Sequence, residues 1–456
     1  MGSTSAISTY SSATIAPLQA FIERTCRDIR TSLKQVTILT ALNSVKVVIG
    51  SGWGVTNKPY CTFIFDFLLH IKVYYCAMST KILSFTPSEK LQKSLKATQS
   101  EMARLAAQIE QIDPDEHDWL HRWAMISTVG ASTRIENAVL TDAEIEWVDT
   151  TLTQQGHTTA FESKKAEILD KLSKDRERSL EEVVGCRELL SIVYVQYEDF
   201  YPLSETVIRG LHHTLLDFYP NGKRYAGQYK TSPNQVLSIN HDTKEQRVVL
   251  NPTPPGPQTD SAMQELVDWY NSVIRSNPWP LLVATEFVFR FLAIHPFQDG
   301  NGRLGRALFL IALLQSEDSE LKTIIQISSI DRQIERHRPL YYKVLQQTSG
   351  GFYKSDSTQY KLEPLAWFFL QMLDSAIKDI GVLQARYRAL KRLSESAEKV
   401  LACFKSSPER RLTPAQIMEE TGIVRRTVQN SLKTLVQEGF IQRLGAGAGT
   451  RYQLVF

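Results

Sequence analysis

The dozen residues "HPFQDGNGRLGR", 295–306, combine side chains that suit chemistry on a phosphate. Two arginines three residues apart, Arg303 and Arg306, project from one side of a helical turn, an arrangement that matches phosphate oxygens. The glycines around Asn301 allow backbone turns that other residues avoid, and the N-terminal amides of a helix attract an anion. The segment therefore predicts a phosphate-binding turn at the start of a helix.

An acid and a histidine in the same segment indicate the reaction. Asp299 would repel a phosphate unless a cation lay between them, so we expect Mg²⁺ held by this carboxylate and by substrate phosphates. A neutral His295 beside such a polyphosphate can accept the proton of an attacking hydroxyl. In-line attack on a phosphorus, catalysed by positioning and charge neutralisation, is the expected reaction.

The flanking segments predict how this loop is held. "PLLVATEFVFRFLAI" predicts an apolar helix before it, and Pro296 is expected to place His295 in an extended backbone conformation. Phe297 is the one large apolar residue of the loop, so we expect it to anchor the loop in the core. A second helix is expected to begin near Arg303, with a buried face rich in leucine.

Length and composition indicate a soluble protein of two or three domains. The chain has 456 residues, 43% hydrophobic and 22% charged, with a net charge of +3, which argues against a surface that binds nucleic acid throughout. Five scattered cysteines form no CxxC pair, so neither a disulfide framework nor a zinc site is predicted. A reducing, cytoplasmic setting fits this usage, and no secretory signal is evident.

Residues 1–80 are predicted to be an N-terminal extension of uncertain structure. The stretch 60–78 approaches the length of a membrane span, but Asp66, His70 and Lys72 interrupt it, which argues against a transmembrane helix. Met78 opens a stretch typical of a natural protein start. We therefore expect residues 1–77 to be an appendage to the functional protein.

The remainder predicts a mainly α-helical chain in three parts. A helical region is expected over 81–200, and a helical core with one β-hairpin, 236–250, over 201–390. The segment "NPTPPGPQT" after the hairpin is expected to be non-helical because of its prolines. A small α+β winged helix-turn-helix domain is expected over 391–456.

The C-terminal domain is predicted from two short helices followed by two strands around a glycine-rich tip. From Ala397 onward there are nine Lys/Arg and five Asp/Glu, so the basic charge of the chain is concentrated here. The exposed face of the second helix is expected to carry Arg425, Arg426, Thr427, Gln429 and Asn430. Binding of DNA through 413–451 and docking of a protein both remain open.

The segment "HPFQDGNGRLGR" resembles the signature of the Fic family, HxFx(D/E)GNGRxxR, with every defined position matched. The resemblance covers about residues 85 to 375. It implies Mg²⁺-dependent transfer of AMP from ATP to a Tyr, Thr or Ser hydroxyl of a target protein and of the enzyme itself. It implies His295 as the base and Asp299 as the metal ligand.

The same resemblance implies the substrate contacts. The ATP- and phosphate-binding set is then Phe297, Gly300, Asn301, Gly302, Arg303 and Arg306. The phosphate-transferring Doc branch carries lysine where this chain has Gly302, so the sequence is similar to the AMP-transferring branch. The hairpin 236–250 corresponds to the family's flap, which presents the target by strand addition. Family members often form homodimers, so a homodimer is also implied.

A second motif, "STRIEN", 132–137, resembles the (S/T)xxxE(G/N) inhibitory helix of Fic proteins. The resemblance implies that Glu136 pairs with Arg306 and keeps the ATP γ-phosphate out, with Ser132 and Asn137 as the other motif positions. An arginine–carboxylate pair occupies the donors that a phosphate needs, so the enzyme is expected to be autoinhibited.

Alternative functions remain open from the sequence. Some family members use this glutamate to activate water and remove AMP, which Glu136 would do here. The chain could instead be a DNA-binding regulator with a nucleotide-sensing Fic core. His212, His213 and His241 lack a metal-ligand pattern and are interpreted as structural or solvated.

Overall fold

A computed structural model describes residues 83–153, 177–239 and 246–455, together with residues 161, 163–165 and 168. These residues all belong to one compact unit. Predictions about the appendage, 1–77, and the apolar stretch within it concern residues outside the described ones. No helix in the described part of the chain is long and apolar enough to cross a membrane.

The described chain is mainly helical, which confirms the predicted fold class. Before the hairpin lie α1 (Glu89–Ile109), α2 (Pro114–Ile135), α3 (Asp142–Leu152), α4 (Glu177–Gln196), α5 (Glu205–Leu216) and α6 (Pro220–Lys223). The hairpin strands are β1 (Val236–Ile239) and β2 (Gln246–Leu250). After it lie α7 (Pro257–Val273), α8 (Pro280–Ile294), α9 (Asn301–Leu314), α10 (Ser319–Gln326), α11 (Ile330–Arg336), α12 (Arg338–Ser349) and α13 (Glu363–Lys391).

Helix α8 lies at the centre of the hydrophobic core. Its side chains are buried on nearly every face, as its almost continuous apolar sequence predicts. Helix α9 packs along it, and the two are joined only by residues 295–300. The predicted chemistry-bearing loop is therefore short and supported by two buried helices.

Two helix starts differ from the sequence prediction. Helix α7 begins at Pro257, inside the segment expected to be non-helical, because proline fits the first turn of a helix, where its missing N–H costs nothing. Helix α9 begins at Asn301 rather than near Arg303, because Gly300 takes the N-cap position with φ 78°. Gly302 is thus a helical residue and not part of the turn.

The hairpin forms as predicted over the described residues. Strands β1 and β2 are antiparallel and pair Val236 with Leu250, with an irregularity after Val236. Asn251 then makes backbone hydrogen bonds with Gly351 and Tyr353, which attach the end of β2 to the segment after α12. The hairpin is therefore anchored at its base to the helical core.

The C-terminal elements form a winged helix, as predicted. They are α14 (Glu395–Lys405), α15 (Pro414–Thr421), α16 (Arg425–Gln437), β3 (Ile441–Leu444) and β4 (Arg451–Leu454). Leu412 and Tyr452 exchange backbone hydrogen bonds of 2.9 and 2.8 Å, an isolated bridge that ties the start of α15 to β4. Ala143 of α3 belongs to the buried cluster of this domain, and Lys405 pairs with Glu146 at 3.0 Å, so α3 supports the winged helix.

Candidate active site

His295 lies at the junction between α8 and the loop. Its backbone has φ 52° and ψ 58°, so the expected extended conformation is wrong. The following proline disfavours the right-handed helical region, and the left-handed region satisfies that limit while the His295 N–H still bonds Phe291 O at 2.9 Å. The helix therefore ends with a sharp turn that directs the imidazole into the site.

The imidazole of His295 is held as a neutral base. Its Nδ1 donates to Leu292 O at 3.2 Å, because a carbonyl oxygen can only accept, which leaves Nε2 to accept a proton. The pKa of His295 is lowered to about 4, mainly by burial and also by the Lys230 ammonium. The Leu292 carbonyl and the carboxylates of Glu136 and Asp299 oppose that shift. The ring is thus unprotonated near neutral pH.

The loop is closed on itself by Asn301. The Phe297 N–H donates to Asn301 Oδ1 at 3.0 Å, and Asn301 Nδ2 donates back to Phe297 O at 2.7 Å. Phe297 is fully buried, which confirms it as the anchor of the loop. The Asn301 side chain thus holds the loop in place through both of its polar atoms.

Lys230 and Asn234, whose roles the sequence analysis missed, hold the backbone of the loop by hydrogen bonds. The buried Lys230 donates from Nζ to Ile294 O at 3.1 Å and to Asn234 Oδ1 at 2.9 Å. Asn234 in turn donates to the carbonyl oxygens of His295 and Phe297, at 3.2 and 2.9 Å. Burial lowers the pKa of Lys230 to about 8. Neither residue belongs to a spaced motif, so no sequence signal pointed to this support.

Arg303 has a buried guanidinium with unsatisfied donors close to Asp299. It is buried, and among the described residues no hydrogen-bond partner is present for its Nε or Nη1. Its nearest opposite charge is Asp299 Oδ1, 3.7 Å from Nη2. A buried cation with unused donors is costly unless an anion binds it. These donors lie in the first turn of α9, where the helix dipole also favours negative charge.

Each of the three guanidinium nitrogens of Arg306 donates to the end of α2. Its Nη1 donates to Glu136 Oε1 at 3.0 Å, its Nε to Ser132 Oγ at 2.9 Å and its Nη2 to Ser132 O at 2.7 Å. The arginine is buried, whereas the glutamate side chain remains 33% exposed. The pair that joins residues 170 positions apart therefore lies at the rim of the site.

A helix C-terminus fixes the position of Glu136. Ala138 N–H bonds Thr133 O at 3.1 Å and Asn137 N–H bonds Arg134 O at 3.0 Å, the two bonds of a Schellman motif. Asn137 takes the left-handed conformation with φ 74°, which explains why glycine or asparagine suits this position. Arg338 donates to Asn137 Oδ1 at 2.8 Å and holds the turn.

Comparison with known families decides what this arrangement is. Residues 202–313, which include α5, the hairpin and the loop, match the Fic/DOC family model. The chain contains a Fic domain. Residues 397–445 match the IclR helix-turn-helix domain, in agreement with the winged helix of the structure.

Solved Fic proteins resemble the chain at low identity. A Fic family protein from Desulfovibrio desulfuricans G20 is 22% identical, with a TM-score of 0.46, and the match covers 82% of this chain and 98% of that one. A Fic domain containing signaling protein from Bacteroides thetaiotaomicron VPI-5482 is 22% identical, with a TM-score of 0.45, over 63% and 97% of the two chains. Fic-1 from C. elegans is 16% identical, with a TM-score of 0.43, over 64% and 71%.

Helix α2 lies outside the family match and is fastened to α3 and α11 by charged groups. Arg134 makes two bonds to Glu335, of 2.6 and 3.0 Å, and an ion pair with Asp142 at 2.7 Å. Asp331 lies 3.5 Å from Nε of Arg306, and burial raises its pKa to about 6 although the arginine opposes that shift. Sequence reasoning missed these partners, because about 200 residues separate Arg134 from Glu335.

Gly302 gives Glu136 room beside the Fic helix α9. A Cβ built on Gly302 would lie 2.2 Å from Glu136 Oε1 and 3.4 Å from Arg306 Nη1. Any side chain here would therefore displace the carboxylate or the helix. The glycine that the sequence analysis assigned to phosphate binding also makes the Glu136–Arg306 contact sterically possible.

Proposed function

We propose that the Fic domain transfers AMP from ATP to a hydroxyl side chain of a target protein and of the chain itself, and that Glu136 restrains this activity. The carrying observation is the combination of a neutral His295, an unsatisfied buried Arg303 and an Arg306 held by Glu136. The first two supply a base and an anion site. The third indicates a competent site in which the second phosphate-binding side chain, Arg306, is already paired with Glu136.

The residues present fit ATP together with Mg²⁺. Asp299 has a side chain that is 45% exposed, and its Oδ1 accepts the Gly300 N–H at 2.6 Å, which leaves its second oxygen for a cation. No group of three metal-ligating side chains occurs in the described part of the chain, so phosphate oxygens and water would complete the metal's shell. When bound, Mg²⁺ would neutralise phosphate charge between Asp299 and the nucleotide.

The proposed step uses Nε2 of His295. The attacking hydroxyl gives its proton to Nε2 while its oxygen forms a bond to the α-phosphorus. The bond from that phosphorus to the bridging oxygen breaks, and pyrophosphate leaves with the electron pair. Arg303 and the N-terminal amides of α9 stabilise the added negative charge, and the products are the AMP ester, pyrophosphate and a proton.

Autoinhibition follows from the same contacts. While Glu136 accepts from Nη1 of Arg306, that donor is unavailable to a γ-phosphate, and the carboxylate repels the phosphate as well. Release requires the end of α2 to move or the Glu136 side chain to turn away. Because that side chain is a third exposed, turning away costs less than breaking a fully buried pair.

The flap is proposed to present the target. Asn234, two residues before β1, donates to the carbonyl oxygens of His295 and Phe297. The start of the flap is therefore hydrogen-bonded to the backbone of the proposed general base. A target segment that adds to the flap as a strand would then be held at a fixed place relative to His295. Incubation of the Glu136→Gly chain with candidate proteins, ATP and Mg²⁺, followed by mass spectrometry, tests the proposal through AMP on Tyr, Thr or Ser.

Removal of AMP is the second candidate activity, favoured by the partly exposed carboxylate of Glu136 near His295. It predicts that an AMP-modified protein is hydrolysed by the wild-type chain and is not hydrolysed by Glu136→Gly. Faster net modification by Glu136→Gly without any hydrolysis by the wild type would favour transfer alone.

We also propose that the winged helix binds duplex DNA through α16. Arg425, Arg426, Gln429 and Asn430 are exposed on this helix, whereas Val428 faces the core. Arginines and amides on one exposed helix suit phosphates and base edges in the major groove. The match to a helix-turn-helix domain supports this assignment.

Changing both Arg425 and Arg426 to alanine is expected to weaken DNA binding about tenfold or more and to reduce the salt slope of log affinity by about two. The physical reason is the loss of two phosphate contacts. Fluorescence anisotropy over a salt series measures both effects. Lys399→Ala, on the exposed face of α14, is the control and should leave the slope unchanged. Binding of a protein instead of DNA by the same face would contradict the assignment.

A further inference from the structure

His212 of α5 is a buried polar residue that contacts the loop. The proposed reaction does not use its side chain. Its side chain is 0% exposed, and its ring lies parallel to that of Phe297, with centroids 3.8 Å apart and an interplanar angle of 13°. A fully buried imidazole is stable only if both ring nitrogens find partners. Those partners show what the residue does.

The two partners fix the tautomer of His212. The Gly227 N–H donates to Nδ1 at 3.0 Å, so Nδ1 carries no proton. The proton of the neutral ring is therefore on Nε2, which donates to the backbone oxygen of Asp299 at 2.9 Å. The imidazole thus joins the segment after α6 to the loop residue that is proposed to hold Mg²⁺.

One peptide group connects this contact to the carboxylate of Asp299. The carbonyl of Asp299 and the N–H of Gly300 belong to the same planar trans peptide and point in opposite directions. His212 holds the carbonyl on one side, and on the other side the Gly300 N–H donates to Asp299 Oδ1 at 2.6 Å. The direction of the His212 contact therefore sets the direction of the carboxylate.

Close packing leaves this peptide little freedom. Gly300 has φ 78°, and a Cβ on it would lie 3.3 Å from Leu215 and 3.4 Å from His212 Nε2. The ring of Phe297, from the same loop, stacks on one face of the imidazole. The loop therefore packs against α5 with the Asp299–Gly300 peptide oriented so that its carbonyl oxygen accepts from His212 Nε2.

We propose that His212 is a positioning residue that orients the Asp299 carboxylate for Mg²⁺–ATP through the peptide between Asp299 and Gly300. It touches neither the metal nor the substrate. The proposal rests on the proposed function, in which Asp299 is the metal ligand. Partners that orient metal ligands typically change metal affinity by about 10- to 100-fold when they are lost.

Two amide variants separate the two hydrogen bonds of His212. His212→Asn can place an acceptor near the Nδ1 position and keep the Gly227 contact, but it cannot reach Asp299 O. His212→Gln can place an N–H donor near the Nε2 position and keep the Asp299 contact. His213→Gln, at the exposed neighbouring position, is the matched control.

The experiment uses the full chain carrying Glu136→Gly as parent, with ATP binding measured by calorimetry over a Mg²⁺ series, AMP transfer and melting temperature. We expect His212→Asn to raise the Mg²⁺ concentration that half-saturates ATP binding by about 10- to 100-fold. ATP binding in EDTA should stay unchanged. His212→Gln should recover most of the Mg²⁺ response, and His213→Gln should match the parent.

The outcomes separate positioning from packing. If both amide variants lower the melting temperature while the Mg²⁺ requirement stays at the parent value, His212 is only structural and the proposal is wrong. It is also wrong if Asn and Gln raise the Mg²⁺ requirement equally. If the parent binds Mg²⁺–ATP but transfers no AMP, the proposed transfer fails while the binding series still decides on His212. If Mg²⁺ does not affect ATP binding by the parent, both proposals fail.

Discussion

Replacing Glu136 by glycine is expected to raise AMP transfer on the order of tenfold to a hundredfold. The carboxylate is the partner of Arg306 Nη1 at 3.0 Å, and a hydrogen bond between charged groups contributes about 1.5–3 kcal/mol, which corresponds to that range. Removing it frees the donor for a γ-phosphate and removes a repulsive charge. Initial rates of AMP incorporation at fixed ATP and Mg²⁺ measure the change.

Glu110→Gly provides the matched control for this prediction. Glu110 is the C-cap of α1, so the substitution makes the same chemical change at the same kind of helix end, away from Arg306. Its rate should equal that of the wild type. An equal rise in both variants would show that looser helix ends, rather than the lost carboxylate, cause the activation, and would contradict the assigned role of Glu136.

Replacing His295 by alanine in the Glu136→Gly chain is expected to reduce AMP transfer by about 10²- to 10⁴-fold, the usual effect of losing a general base. ATP binding should persist, because Arg303 and the N-terminal amides of α9 are untouched. Comparison of transfer rates with calorimetric ATP affinity separates chemistry from binding. His213→Ala should retain the rate of the parent; a similar fall there would assign the effect to the stability of α5 or the loop.

The pH dependence of the same parent tests the state of His295. Burial lowers its pKa to about 4, so the unprotonated base is present above that pH and is lost as the pH falls through it. The value of kcat/KM should therefore be flat between about pH 6 and pH 8. An unperturbed histidine would instead give a pH profile of kcat/KM with its midpoint at about pH 6.5. A midpoint in that range would contradict the neutral, buried state described for the ring.

Local sequence rules predicted the elements that their own residues determine. The apolar run forms α8, and Phe297 anchors the loop. The resemblance of "STRIEN" to an inhibitory motif placed Glu136 opposite Arg306, a contact across 170 positions that spacing alone does not predict. These successes share a strong local pattern or a specific motif.

Other features depend on tertiary contacts that carry no local pattern. Single residues such as His212, Lys230 and Asp331 support the site from separate elements, and nothing in their sequence neighbourhoods distinguishes them from ordinary buried or exposed residues. The backbone of His295 was mispredicted because the rule for residues before proline excludes one region but leaves the left-handed one open. The structure decides between the remaining conformations through packing of the loop.

The position of the label in ATP distinguishes transfer of AMP from transfer of a phosphate. The Glu136→Gly chain is incubated with Mg²⁺ and ATP labelled either on the α-phosphorus or on the γ-phosphorus, and protein-bound label is counted. We expect label on the protein from the α-position only, with pyrophosphate released in equal amount. Protein-bound label from the γ-position, or none from either position, would contradict transfer of AMP by this site.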